Sequence, residues 1–148
     1  MPSLWQSDAR SGLLARLSRL GPDTPPRWGR MTCPQMLAHL NDASRMATGE
    51  LPTAPRRGPM RHFPLKQFIV YVMPIPKGVP TARELLARID RAQFEQEVAA
   101  FPASLGRFAS RPPDAPMPAH PAFGVLSRRA WGVLAHRHID HHFRQFGA

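Results

Sequence analysis

Leucines at positions 13, 14, 17 and 20 recur at the spacing that gives a helix one apolar face, and Gly21-Pro22 follows as a stop signal. This pattern predicts a first helix over residues 4–20. A second helix starts at Thr32, where Thr32-Cys33-Pro34-Gln35 has the residue types of a capping box, and runs through Met36, Leu37, Leu40, Ala43 and Ala47 to Gly49. A short apolar piece, residues 65–73, contains the β-branched Ile69, Val70 and Val72 and is compatible with a helix or a brief extended segment. Thr81-Ala82-Arg83-Glu84 reads as another capping box. It opens a long helix in which Leu85, Leu86, Ile89, Phe94, Val98 and Phe101 recur, expected to end near Pro102, with Leu105 and Phe108 able to extend it after a break. Ser127 caps the last helix, which carries Trp131, Leu134, Ile139, Phe143 and Phe146.

No stretch alternates apolar and polar residues between hairpin turns, so strands are not expected. Of the 18 prolines, 14 cluster at 22–26, 52–59, 74–80 and 112–121, between the helical patterns, where proline is tolerated. These features describe a single all-α domain over residues 1–148, with four main helices arranged as a four-helix bundle.

With 43% hydrophobic and 20% charged residues the chain has the balance of a globular protein. Residues 1–12 lack the apolar run of a secretory signal, and the longest apolar stretch, 68–73, is far too short to span a bilayer; a cytoplasmic protein with no membrane partner is expected. Cys33 is the single cysteine, which excludes internal disulfides and cysteine-rich zinc sites and leaves His and carboxylate as metal ligands. No neighbour activates it, and a buried apolar role is expected. A formal charge of +10 raises nucleic acid as a partner. The basic residues are scattered, however, and the densest group (Arg56, Arg57, Arg61, His62 and Lys66) reads as a solvated loop, so nucleic acid is not the favoured partner.

Four of the seven histidines, His136, His138, His141 and His142, lie near the carboxyl end. His138 and His142 have i, i+4 spacing and lie about 40° apart on a helix, on the stripe that also carries Trp131, Ala135 and Gln145. That is how one helix presents two ligands to one metal ion. His141 sits on the flank, as a group behind the ligands or a surface residue, and His136 and Arg144 point elsewhere. A reactive metal centre takes three protein ligands, and His39, at the edge of the apolar arc of the second helix, is the best third. A zinc peptidase would need Glu directly after the first histidine of the pair, and that position is Ile139.

His138-x-x-x-His142-x-x-Gln145 resembles the last-helix signature of the DinB/YfiT-like superfamily. The segments Trp28-Gly29-Arg30-Met31, Gln35-Met36-Leu37-x-His39, His120-Pro121-x-Phe123-Gly124 and His138-x-Asp140-His141-His142-x-Arg144-Gln145-Phe146-Gly147 are similar to a domain-of-unknown-function branch of it, over nearly the whole chain. The resemblance implies a bacterial-type four-helix bundle holding a divalent metal through His39, His138 and His142. It also implies metal-dependent transferase or isomerase chemistry with a low-molecular-weight thiol. Phe143-Arg144 stands where the superfamily often has Arg-Gly.

The resulting expectation is a metal-dependent enzyme, transferase or hydrolase, acting on a small molecule with Zn, Ni or Fe as the ion. The alternative is a basic nucleic-acid-binding or stress-response module without catalysis. A homodimer is compatible with either. His120, in a His-Pro loop before the last helix, is a candidate acid or base, with a loop hydrogen bond as its simpler role; His141 is the other catalytic candidate. Trp28, Trp131, Phe123, Met36 and Met46 are expected to pack in the core, and Arg30 and Arg129 could pair with an anionic substrate.

Overall fold

The computed structural model describes residues 1–77, 85 and 92–148. They form five α-helices and one short 3-10 turn, with no strands among the described residues; the helices are α1 (Ser7–Leu17), α2 (Cys33–Thr48), α3 (Leu65–Tyr71), α4 (Phe94–Ala109) and α5 (Arg128–Gln145). The architecture is all-helical, as the apolar periodicity requires. None of these helices is long and apolar enough to cross a membrane.

α1 is shorter than its apolar pattern. Leu4 and Leu20 are buried but lie outside the helix, because the Leu4 amide donates to the Gly132 carbonyl of α5 (3.1 Å) instead of starting a helical ladder. The cap of α2 forms as expected: Thr32 Oγ1 accepts from the Gln35 amide, and the Gln35 side chain accepts from the Thr32 amide (2.9 Å). Residues 65–71 resolve as a helix whose last carbonyls (Ile69 and Val70) and that of Met73 accept from the Arg137 guanidinium of α5. Ser127 Oγ accepts from the Ala130 amide (3.2 Å) at the start of α5.

The long helix expected from Thr81 differs in two ways. Its capping box, with Leu86 and Ile89, lies outside the described residues, and α4 begins at Phe94 after an extended Gln93. The helix also continues past Pro102 to Ala109. Pro102 itself is exposed, while Phe101, Leu105 and Phe108 are buried and hold the helix on the core. Tertiary burial outweighs the local penalty of proline.

α2 packs most extensively on α4. Asn41 Nδ2 donates to the Glu97 carbonyl and to its carboxylate (2.8 Å), and Ser44 Oγ donates to the Ser104 carbonyl (2.9 Å), pairing polar groups that burial would otherwise strand. α5 contacts α1, α2 and α3. Trp5 locks α1 to this centre: it stacks on Phe108 with ring centroids 4.4 Å apart, donates to the Arg128 carbonyl (2.8 Å) and lies under the Arg128 guanidinium. The α5 backbone can approach so closely only at Gly132, where a Cβ would sit 2.3 Å from the Trp5 ring.

Candidate metal centre

His39 comes from the middle of α2 and His138 and His142 from α5, so packing of these two helices brings together imidazoles about a hundred residues apart in sequence. One potential ligand atom from each of the three lies within 4.8 Å of the others. His39 Nε2 and His138 Nε2 are 3.0 Å apart, and the three rings meet edge-to-face with centroids 4.9 Å apart in every pair. Two nitrogens bound to one ion at about 2.0–2.1 Å are separated by roughly 3.0–3.4 Å, so the His39–His138 pair already has the spacing, and His142 lies within the same 4.8 Å cluster. The donor set fits a divalent ion. Two nitrogen lone pairs facing each other at this distance repel unless a proton or a cation lies between them.

All three rings are neutral at physiological pH. Burial pushes His39 down to about 3 and His142 to about 4, with neighbouring imidazoles adding to the effect, and His138 falls well below its ordinary value for the same reasons. Neutral imidazole is the form that ligates. The tautomer of His142 is set by Gln145 one turn away: His142 Nδ1–H donates to Gln145 Oε1 (2.8 Å), leaving the Nε2 lone pair for a ligand. Gln145 is held in turn by donating Nε2–H to the Trp28 carbonyl (2.7 Å). Gly29 makes this possible, because it has φ +82° and a Cβ there would sit 2.7 Å from Gln145 Nε2. His39 Nδ1 is buried without a hydrogen-bond partner among the described residues.

The histidines open onto a cavity of about 390 Å³. Its walls are mainly apolar, with Met31, Met46, Ile69 and Phe123 contributing, and no carboxylate lines it among the described residues. The two catalytic candidates both line it. His141 lies beside His142 (ring centroids 5.2 Å) and against Trp28 (5.6 Å). His120 sits in the turn before α5, where its Nδ1 accepts from the amides of Ala122 (3.1 Å) and Phe123 (3.3 Å). The loop hydrogen bond is therefore real, and burial pushes this imidazole down to about 4, so it is neutral at pH 7. His136 lies on the other side of α5, near α1, and His62 is on the loop after α2.

Other expected roles divide. Cys33 is fully buried and its thiol is pushed up to about 11 by desolvation, which makes it inert. Trp131, Phe123, Met36 and Met46 are buried, whereas Trp28 is half-exposed on the cavity wall with Lys77 over its ring. Arg30 lines the cavity at its exposed edge; Arg129 instead lies over Tyr71. Arg144 turns outward to Asp140 (3.0 Å), which also pairs with Arg16 (2.7 Å), so it takes no part in the cavity. Sequence reasoning gave no role to Gln145, Gly29 or the Trp28 carbonyl. The signal was present for Gln145, which is three residues after His142 and hence on the same helical face.

The chain belongs to the family described as "Protein of unknown function (DUF1569)", whose profile matches residues 14–148. No curated protein and no solved structure matches it.

Proposed function

We propose that this chain is a divalent-metal protein of the DinB/YfiT-like bundle type, cytoplasmic, with His39, His138 and His142 as ligands and a small-molecule site in the adjoining cavity. The observation that carries the reading is the convergence of the three imidazoles within 4.8 Å from two separate helices. When bound, Zn, Ni or Fe held by neutral imidazoles keeps its full charge and supplies Lewis acidity toward a small molecule or a low-molecular-weight thiol beside it. The chain's own residues do the rest. Gln145 orients His142, and Trp28 and His141 wall the site within a mainly apolar lining. Transfer of a thiol to a small electrophile is the reaction the superfamily resemblance favours, with hydrolysis as its rival.

A nucleic-acid role is disfavoured by where the positive charges go. Arg61, Lys66, Arg111, Arg128 and Arg137 all donate to backbone carbonyls of loops and helix ends, so these five side chains are held by the fold. The test is the metal content of protein expressed without an affinity tag, compared with His138→Ala. About one equivalent of a transition metal in the wild type and none in the variant is expected; equal, negligible metal in both contradicts the reading.

A further inference from the structure

His120 has a feature that the metal reading does not use. Its Nδ1 faces two backbone N–H groups, so it must present a lone pair and cannot hold a proton. The neutral ring therefore carries its proton on Nε2. The turn that holds it is tight: the amides and carbonyls of His120 and Gly124 exchange two hydrogen bonds of 2.8 Å, and the ring is wedged against Phe123 and Trp131 with centroids 4.9 and 5.2 Å away. From outside, the Arg56 amide and the Arg61 guanidinium both donate to the Pro121 carbonyl (2.8 and 3.3 Å). Among the described residues no group accepts from Nε2, and the ring lines the same cavity as the three histidines.

We propose that His120 is a ligand-contacting hydrogen-bond donor whose Nε2–H takes a neutral oxygen, of carbonyl type, on a small and otherwise apolar molecule seated in this cavity. The proposal rests on reading the cavity as a small-molecule site, but not on the metal. A cavity of about 390 Å³ lies in the range of small-ligand pockets, toward its lower end, and its apolar walls suit a ring or short aliphatic body. A fixed neutral donor discriminates by what happens when it is unmet: a ligand of the same shape without an acceptor leaves a desolvated N–H unpaired. An anion is the less favoured occupant. The arginines on the lining, Arg30 and Arg56, are exposed, where charge pairing is weak, and the inner donor carries no charge.

The test uses the full chain without a tag and three probes: acetophenone, α-methylstyrene, which replaces the oxygen with CH2, and benzoate. Affinities are measured by ligand-detected NMR with and without zinc. Acetophenone is expected to bind at least about tenfold more tightly than α-methylstyrene. His120→Phe reduces that ratio to about twofold, and His136→Ala, on the far side of α5 beside α1, keeps it. Equal binding of the two neutral probes, tighter binding of benzoate, or binding of none overturns the proposal. Nitrogen-15 NMR of the wild type gives a second, independent check: a proton on His120 Nε2 and none on Nδ1 is expected, and the opposite tautomer overturns the proposal whatever the variants do. Loss of metal binding with the acetophenone preference intact removes the metal reading and leaves this one standing; metal binding without the preference does the reverse.

Discussion

Replacing Gln145 by leucine removes a side chain that is buried and doubly engaged, accepting from His142 Nδ1 at 2.8 Å and donating to the Trp28 carbonyl at 2.7 Å. Leucine has nearly the same volume, so packing is largely kept and the loss is polar. Without the amide oxygen the His142 ring is no longer held in the tautomer that points a bare Nε2 at the centre. Loss of such an orienting partner typically weakens metal binding by about 10–100-fold, or roughly 1.4–2.7 kcal/mol. The abandoned Trp28 carbonyl adds a fold-stability cost of about 1–3 kcal/mol that metal-free protein also shows. Zinc affinity, measured by competition with a chromogenic chelator on tag-free protein, separates the two effects from thermal melts of the metal-free forms. Gln145→Glu is the control, since a carboxylate still accepts from His142 Nδ1 but cannot donate to Trp28: affinity stays within severalfold while stability falls. If Gln145→Leu folds and binds zinc within twofold of wild type, His142 is not a ligand oriented in this way.

Three further outcomes follow from the same contacts. Gly29→Ala combines a left-handed backbone with a Cβ 2.7 Å from Gln145 Nε2, so zinc affinity falls about tenfold together with stability, and chelator competition with urea melts checks both. Gly132→Ala drives a methyl into the Trp5 ring and lowers stability by about 1–3 kcal/mol in urea unfolding, with zinc affinity per folded molecule unchanged. In metal-free protein, His39 refuses a proton down to about pH 3 while the unfolded chain takes one near pH 6.5. Stability is therefore flat above pH 6.5 and falls as pH drops below it, by up to about 2 kcal/mol from this residue at pH 5; a urea midpoint equal at pH 7 and pH 5 contradicts the burial.

What could be read in the chain was local. The Thr32–Gln35 box, the Ser127 cap and the His138/His142 pair depend on residues within one helical turn of each other, and each forms as its spacing dictates. His39 required an assumption about which helices face each other, and the packing of α2 against α5 meets it. Pro102 misled because its effect on α4 is decided by the burial of Phe101 and Leu105, which no local rule contains. Gln145 and Trp28 meet across 117 positions of sequence, and the two amides that fix His120 depend on the closure of one tight turn. Trp5, outside every apolar stripe, turned out to clamp α1 onto α4 and α5. For Gln145, His120 and Trp5 the missing information was a backbone group supplied by a distant or irregular segment.

The central claim is that imidazoles from α2 and α5 bind one ion together. X-ray absorption at the zinc edge, on tag-free protein loaded with one equivalent, reads the coordination shell directly. The account predicts three nitrogens at about 2.0–2.1 Å with imidazole outer-shell scattering, falling to two in His39→Ala. A shell with one imidazole or none in the wild type, or one unchanged by removing His39, contradicts it.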